Sequence, residues 1–382
     1  MRIKLLVVIS LYIALVFSDS ASAVSIRRTH RFLRPLAMGG AFTAVADSEE
    51  TIAYNPAGLY QKNVEWSFDM SILGMAYNDN GNGMITGEID FGDQSSLADL
   101  PGERIYFELP VTLSNSLFIP DCGWCGVYGG ASADAWVEIA FPPQTIIPTI
   151  DLEFVGQMVV EYAMAFEVFG INVGFNLKGI QREGVVASVD LLSASSMIEN
   201  DDWDGLVEEY AADQPGSKLV LDFGFLYRFN HPWNIRIGMS ALDMLSMDLE
   251  GENTVTYGGI DWGSVGEVTQ LNTLGIAFTI NVNEFDLTGS MDYLDFTYSY
   301  IPSSSTARRI ALGFEAGYSK RSDNTYLAAI QLGLREFKYP SIGLMLTLGA
   351  IKFGTIQWTE NFGTADNELV DTRYMFLISL NF

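Results

Sequence analysis

The sequence predicts an all-β fold, a transmembrane antiparallel β-barrel of about 14 strands with a short N-terminal plug segment. From Trp66 onward, apolar and polar residues alternate with a period of two, as in strands with one apolar face. Long polar connections alternate with tight ones, and the last strand ends at an aromatic residue. A soluble β-sandwich also alternates apolar and polar residues, but it explains neither the uninterrupted strand series nor the terminal aromatic.

Residues 1–23 have the three parts of a secretory signal peptide. A basic start precedes an apolar run from Leu5 to Phe17, and the small residues Ala21 and Ala23 suit the cleavage pocket of signal peptidase. The apolar run is shorter than the roughly 20 residues that a membrane-spanning helix needs. We therefore expect an exported chain whose mature part begins near Val24.

The composition favours one large closed unit over several soluble domains. No Pro/Ser-rich or low-complexity linker divides the 382 residues, and aromatics reach 13% while charged residues are 18%. We expect residues 24–63 to form the plug and residues 64–382 the barrel. A net charge of -26 disfavours nucleic acid as a partner, because phosphate binding needs clustered Lys and Arg. Outer-membrane lipid and lipopolysaccharide are the expected surroundings of the barrel.

The clearest alternating segment runs from Leu219 to Phe229, where the odd-numbered residues are apolar or aromatic and Asp222 and Gly224 face the other way. Similar patterns recur at residues 171–178, 274–281, 285–293, 310–319 and 342–348. Long connections are expected at residues 78–102, 191–217, 251–270, 301–306 and 362–371, with tight links at 230–233, 283–284 and 320–324. If Val64 to Tyr77 is the first strand, both termini lie on the periplasmic side.

The last strand contains a candidate assembly signal. Tyr374, Phe376, Ile378, Leu380 and Phe382 share one strand face, and the chain stops at the last of these aromatics. A terminal strand of this form resembles the recognition signal used by the barrel-assembly machinery. That machinery is therefore an expected partner.

The segment before the first strand does not alternate. Small residues from Ala37 to Ala44 allow close backbone packing, and Asp47 can cap a short following helix. Pro56 restrains Asn55 to an extended or turn conformation, and Gly58 can take the positive φ that ends a turn. The segment is predicted to be a compact irregular unit suited to a barrel mouth or lumen.

The same segment contains Ala-Met-Gly-Gly-Ala-Phe at Ala37 to Phe42, Ala-Asp at Ala46 and Asp47, and Tyr-Asn-Pro-Ala-Gly-Leu at Tyr54 to Leu59. In this pattern it resembles the FadL-type hydrophobic-compound transporters and the related PorV-like outer-membrane barrels. Later strand segments echo the PorV-like branch at Leu221 to Phe229 and Leu312 to Tyr318.

The resemblance implies a barrel in the outer membrane of a Gram-negative-type bacterium, with the N-terminal plug in its lumen. The plug positions that either gate ligand passage or merely seal the pore are Met38, Gly39, Gly40, Asp47, Asn55, Pro56, Ala57 and Gly58. In FadL-type transporters, hydrophobic ligands such as long-chain fatty acids enter from outside and leave through a lateral opening made by a kinked strand. Some PorV-like relatives act in secretion, so the expected ligands are hydrophobic small molecules or, alternatively, exported proteins. A water-filled porin is a third possibility.

Cysteine and histidine spacing gives no support for a metal site or for catalysis. Cys122 and Cys125 are the two cysteines, and His30 and His231 lie far from them, so four tetrahedral zinc ligands do not converge. We favour a local disulfide between Cys122 and Cys125 in an oxidising compartment. Neither histidine lies beside a candidate nucleophile, so we expect no enzyme and no cofactor.

Overall fold

The computed structural model describes residues 32–61, 66–87, 104–119, 125–140, 149–190, 216–250, 256–257, 260–261, 270–297, 309–320, 326–361 and 370–381. The signal peptide of residues 1–23, its cleavage site at Ala21 and Ala23, Cys122 and the terminal Phe382 lie outside these residues. The signal peptide, the disulfide and the proposed domain boundaries therefore stay predictions.

Sixteen strands are described, and fourteen of them are antiparallel and form a closed barrel, as the sequence predicts. The strands are, in chain order, β1 (Trp66–Asn78), β2 (Arg104–Ile119), β3 (Cys125–Ala140), β4 (Thr149–Val168), β5 (Ile171–Asp190), β6 (Gly216–Arg228), β7 (Arg236–Glu250), β8 (Thr256–Tyr257), β9 (Ile260–Asp261), β10 (Leu271–Val282), β11 (Phe285–Leu294), β12 (Ile310–Lys320), β13 (Tyr326–Arg335), β14 (Tyr339–Leu348), β15 (Ile351–Asn361) and β16 (Val370–Asn381). The short strands β8 and β9 pair with each other in a separate ribbon. Each barrel strand pairs with the next one along the chain, and β1 closes the ring against β16.

The predicted alternation is present along the barrel wall. On β10 the exposed Ile276 and Phe278 flank the buried Ala277, and the pattern repeats along the strand. On β6, Asp222 and Gly224 are buried as predicted, since they face the lumen. Apolar side chains point outward and closure leaves no open sheet edge, so the chain is a transmembrane barrel of the outer-membrane type. No helix in the described ranges is long and apolar enough to cross a membrane.

Connections at the two ends of the barrel differ in length. At one end they span residues 120–124, 169–170, 229–235, 283–284, 321–325 and 349–350. At the other end they span residues 79–103, 141–148, 191–215, 251–270, 295–309, 336–338 and 362–369. The first set forms the turn end and the second the loop end, which faces the outside in barrels of this kind. Strand β1 begins and β16 ends at the turn end, as predicted.

Two connections have features that the alternation did not predict. The first loop, predicted as a long polar connection, contains an α-helix, α2 (Asp79–Thr86). The 336–338 connection is short although it lies at the loop end, and Glu336 and Phe337 take positive φ values of 57° to close it.

Residues 32–61, here called the inner segment, lie within the barrel. They contain helix α1 (Leu33–Ala37) and two 3-10 helices, η1 (Glu49–Ala53) and η2 (Pro56–Gln61). Helix α1 contacts β13, β14 and β15, whereas η2 contacts β3, β4, β5 and β6. Because β14 and β5 stand seven positions apart in the ring of strands, the inner segment crosses the lumen.

Candidate functional site: the inner segment and its cavities

Glycines allow the inner segment to lie directly against the wall. Gly39 and Gly40 have φ values of +66° and +85°, a backbone region that favours glycine. A Cβ at Gly39 would lie 2.9 Å from the backbone nitrogen of Leu334, and a Cβ on wall residue Gly174 would collide with Pro56 and Ala57. Backbone packing as close as this is possible because the glycine presents no side chain to the chain that faces it.

Asn55 fastens the Asn-Pro-Ala turn to strand β6. Its side-chain nitrogen donates to the carbonyl of Thr43 at 2.9 Å and to that of Phe225 at 3.0 Å. Its side-chain oxygen accepts from the backbone nitrogen of Ala57 at 3.2 Å. Pro56 then opens η2, a position where its missing N–H costs no helical hydrogen bond.

Arg34 links the inner segment to strand β12 through an ion pair. Its guanidinium binds Glu315 on β12 in a bidentate manner, with both nitrogen–oxygen distances 2.7 Å. A third nitrogen lies 2.7 Å from the carboxylate of Asp47. Burial alone lowers the pKa of Arg34, but the charges of Asp47 and Glu315 outweigh it and hold that pKa well above its usual value. Arg34 is therefore permanently charged, and its two carboxylate partners compensate its burial.

Polar side chains on the wall satisfy backbone groups of the inner segment. Asp292 accepts from the backbone nitrogens of Phe42 and Thr43, at 3.0 and 2.9 Å. Ser290 donates to the carbonyl of Ala41 at 2.7 Å, and Arg236 donates to the carbonyl of Val45 at 2.9 Å. Ser341 donates to the carbonyl of Ala37 at 2.9 Å. These bonds explain why inward positions of the strands are polar, since buried backbone groups need partners.

Two expectations about the inner segment are wrong. Gly58 does not take a positive φ but lies in η2, where a Cβ would collide with the carbonyl of Ala46, so the glycine provides room for a chain crossing. The N-cap residue of η1 is Ser48 and not Asp47, and the Ser48 side chain makes no cap bond to that helix. Asp47 instead binds Arg34, because a buried guanidinium competes more strongly for the carboxylate than a backbone N–H does.

The eight predicted plug residues belong to the inner segment but lie at two different walls. Gly39 lies against β12 and β13, whereas Asn55 to Gly58 lie against β5 and β6. Met38 is fully buried and packs in one cluster with Phe42 and Tyr54. Arg34, Glu315, Asp292 and Arg236 were missed as site residues, although the alternation had placed Asp292 and Glu315 on the polar strand face. At the C-terminus, Tyr374, Phe376, Ile378 and Leu380 share a face opposite the buried Arg373, Met375 and Ser379, while their role in assembly stays a prediction.

Two cavities flank helix α1. The loop-side cavity is lined by Leu36, Tyr54, Leu294, Tyr339, Trp358 and further residues at the loop ends of their strands. The turn-side cavity is lined by residues that include Phe32, Leu33, Asp69, Thr112, Lys352 and Leu377. Leu33 and Leu36 belong to the same short helix, and Leu33 lines the turn-side cavity whereas Leu36 lines the loop-side cavity.

The wall beside the turn-side cavity contains an interrupted ladder. Strand β1 pairs with β2 up to Met70 and again from Ala76, but the register shifts between these residues. Pro110 lies opposite this stretch and has no N–H to offer the ladder. The Ser71 hydroxyl bridges to the backbone of Thr112 in place of a ladder pair. We call residues 71–75 and 109–112 the β1–β2 seam.

A second irregularity lies between strands β6 and β7. Between the pairs Leu221–Leu245 and Phe223–Ala241, three residues of β7 oppose one residue of β6. Asp243 in this bulge has a φ of +57°, and its backbone nitrogen donates to Asp222 at 2.6 Å. Lys178 bonds to Asp243 and lies 3.0 Å from Asp222, so charge inside the lumen fixes the bulge.

Comparisons with known proteins agree with this architecture. No protein-family model and no curated protein matches the sequence. Among solved structures, the TodX deltaS2S3 mutant monoaromatic hydrocarbon channel aligns with a TM-score of 0.51 and 9% identity, over 89% of this chain and 98% of that chain. The toluene transporter TbuX of Ralstonia pickettii aligns with a TM-score of 0.51 and 10% identity, over 94% and 99%. A Pseudomonas aeruginosa FadL homologue has a TM-score of 0.48 and 12% identity over 94% and 99%.

The fold and its inner segment define a class, the closed transmembrane barrels with a chain segment inside the lumen. Within that class, the chain shares its fold with channels for hydrophobic compounds. The resemblance inferred from the N-terminal pattern is confirmed at the level of the fold.

Proposed function

We propose that this protein is a passive outer-membrane channel that binds hydrophobic small molecules and lets them cross. The observation that carries the proposal is a pair of partly apolar cavities, one lined by Leu33 and the other by Leu36 of helix α1. The shared fold supports the proposal, since two solved structures with this fold are a monoaromatic hydrocarbon channel and a toluene transporter.

The loop-side cavity is the proposed entry site. Tyr54, Tyr339 and Trp358 present aromatic surface there, and Leu36 and Leu294 add aliphatic surface. Aromatic side chains supply large apolar contact areas for planar or aliphatic ligands. A molecule arriving from the loop end would therefore gain apolar contact before it meets the inner segment.

The inner segment is the proposed plug. A ligand passes from one cavity to the other only if α1 moves, because α1 contributes lining residues to both. Gly39 and Gly40, directly after α1, have the backbone freedom that such a movement requires. Asn55 holds the far end of the segment to β6, so the movement is expected to be local to residues 33–47.

The β1–β2 seam is the proposed exit. Asp69 and Thr112 line the turn-side cavity, and Thr112 belongs to the seam itself. Where ladder pairs are interrupted, strands separate at lower cost than where the ladder is continuous. An apolar molecule leaving there would enter the membrane and avoid water.

Cross-linking the seam tests this route. In a background with Cys122 and Cys125 changed to Ser, the pair Ser71→Cys and Thr112→Cys forms a disulfide across the seam. The matched control, Leu344→Cys with Thr355→Cys, joins two outward residues of the uninterrupted β14–β15 ladder. We expect uptake of labelled toluene by a deletion strain to fall with the seam disulfide, to recover on reduction and to be unaffected by the control. Equal toluene uptake with and without the gene would contradict transport.

A PorV-like surface or secretion component that binds exported proteins is the second candidate function. The observation in its favour is the length of β4 and β5, 20 residues each, where a membrane-crossing strand needs about 9–11. The extra length projects from the loop end as a sheet on which a protein could dock. Co-purification of exported proteins with a barrel whose lumen contains no extractable apolar molecule would favour this candidate. A specifically enriched hydrocarbon or fatty acid would favour transport.

A further inference from the structure

We infer that the turn-side cavity selects its ligands by charge and takes cationic amphiphiles, an apolar tail with a protonated amine, in preference to carboxylates. The inference rests on the proposed function and narrows its ligand class. It concerns the half of the lumen nearest the turn end, between α1 and strands β1, β2, β3, β4, β14, β15 and β16.

The cavity has an apolar part and an acidic part. Phe32, Leu33, Tyr128, Met345 and Leu377 supply the apolar lining, which suits a hydrocarbon tail. The charged lining residues are three carboxylates, Glu50, Asp69 and Glu161, and one ammonium group, Lys352. Three negative charges against one positive charge leave a formal excess of two negative charges.

The carboxylates are held in place from three sides. Asp69 on β1 lies 3.3 Å from Lys352 and accepts from Asn381 at 3.2 Å. Glu161 on β4 accepts from Asn176 at 3.2 Å, and Glu50 in η1 accepts from the Ser48 hydroxyl. Glu50 and Glu161 are 8% and 5% exposed, so water screens them weakly.

Among the residues that the structure describes, neighbouring charges do not remove this excess. The adjoining space shares Glu50 and Lys352 with this cavity and adds Arg34 and Glu315, which bind each other. Behind Glu161, Lys178 lies between Asp222 and Asp243, again with more carboxylates than ammonium groups. The field at this side of the lumen is therefore negative, and a buried site transmits it more strongly than water would.

A head group entering this field must lose part of its hydration. For a carboxylate that loss adds to repulsion from Glu50 and Glu161, whereas for a protonated amine the attraction offsets it. An uncharged alcohol should lie between the two. The expected order of affinity for one tail length is amine, then alcohol, then carboxylate.

The test compares dodecylamine, dodecanol and dodecanoate at neutral pH, with the folded full-length mature protein in nanodiscs of zwitterionic lipid. Each probe competes with an uncharged fluorescent apolar ligand. We expect dodecylamine to bind at least about tenfold more tightly than dodecanoate, which corresponds to about 1.4 kcal/mol. Glu161→Gln should reduce this ratio and Lys352→Gln should increase it, because they change the cavity charge in opposite directions.

Glu284→Gln is the matched control, since Glu284 is exposed in the 283–284 turn, lines neither cavity and should leave the ratio unchanged. If Glu161→Gln fails to fold, the change that Lys352→Gln causes in the amine-to-carboxylate affinity ratio still tests the inference. The inference would be overturned if dodecylamine and dodecanoate bound equally well, or if neither variant changed the ratio of their affinities. Binding of dodecanol would still support the proposed function in that case. If none of the three probes displaces the apolar ligand, the proposed function fails as well.

Discussion

Replacing Glu315 with alanine tests whether charge holds the inner segment in the lumen. The carboxylate accepts two bonds of 2.7 Å from Arg34, and its side chain is fully buried. The Glu315→Ala variant removes both bonds and leaves Arg34 buried beside Asp47 alone. Breaking a buried pair by removing one partner costs about 3–5 kcal/mol. Because Asp47 remains, we take the lower end, about 3 kcal/mol, or roughly a hundredfold change in the equilibrium for release of α1.

Hydrogen–deuterium exchange of residues 33–47, read by mass spectrometry on the folded barrel, measures that release directly. We expect exchange in this region to accelerate by about two orders of magnitude while the barrel strands keep their protection. Single-channel recording should show openings that the parent protein lacks or shows rarely.

The control for this prediction is Glu360→Ala, a lumen carboxylate that lies 3.8 Å from Arg373 on β16. A double variant, Arg34→Met with Glu315→Leu, replaces the whole pair by apolar side chains and should restore slow exchange, since such replacements are often neutral. If Glu315→Ala exchanges no faster than Glu360→Ala, charge does not hold the segment and the reasoning is refuted.

Two further predictions concern the far end of the inner segment. Asn55→Ala removes donors to the carbonyls of Thr43 and Phe225 and should destabilise residues 55–61 by about 1–3 kcal/mol, measured by exchange of those amides; unchanged exchange would show that packing alone holds the turn. Gly224→Ala would place a Cβ 2.8 Å from the backbone nitrogen of Ala57 and should block seating of the segment, whereas Gly179→Ala has its nearest atom at 4.0 Å. Heat-modified gel mobility compares the two variants, and equal folded fractions would contradict the steric argument.

The sequence was informative about the barrel because strand pairing there is local. Adjacent strands are joined along the chain, so a period of two and the spacing of connections suffice to identify them. The alternation at Asp222 and Gly224 gave the correct inward face for the same reason. The β6–β7 bulge at Asp243 was not visible, because it depends on Lys178 and Asp222 from other strands.

The contacts of the inner segment could not be predicted in the same way. Arg34 and Glu315 are 281 residues apart in the chain, and Phe42 and Asp292 are 250 apart. The alternating pattern assigns Glu315 and Asp292 to the polar face but contains no information about which backbone group each one meets. The prediction for Gly58 from its turn-forming φ preference also failed. A glycine is needed there because the chain crosses close to it at Ala46.

The way the inner segment is fastened also determines which part of the molecule can move. Its backbone is bonded to the wall by separate side chains such as Asp292, Ser290 and Ser341, each worth about 0.5–1.5 kcal/mol net. The wall strands are joined by long ladders such as that of β4 and β5, apart from the β1–β2 seam and the β6–β7 bulge. Ion pairs of Lys178 hold the bulge in place, so the inner segment and the seam are the less stable units. A ligand that gains apolar contact in one cavity would therefore displace these two elements and leave the rest of the barrel intact. The same polar fastening leaves the turn-side cavity acidic, so the anionic long-chain fatty acids expected from the resemblance are less suited to it than amines or uncharged molecules.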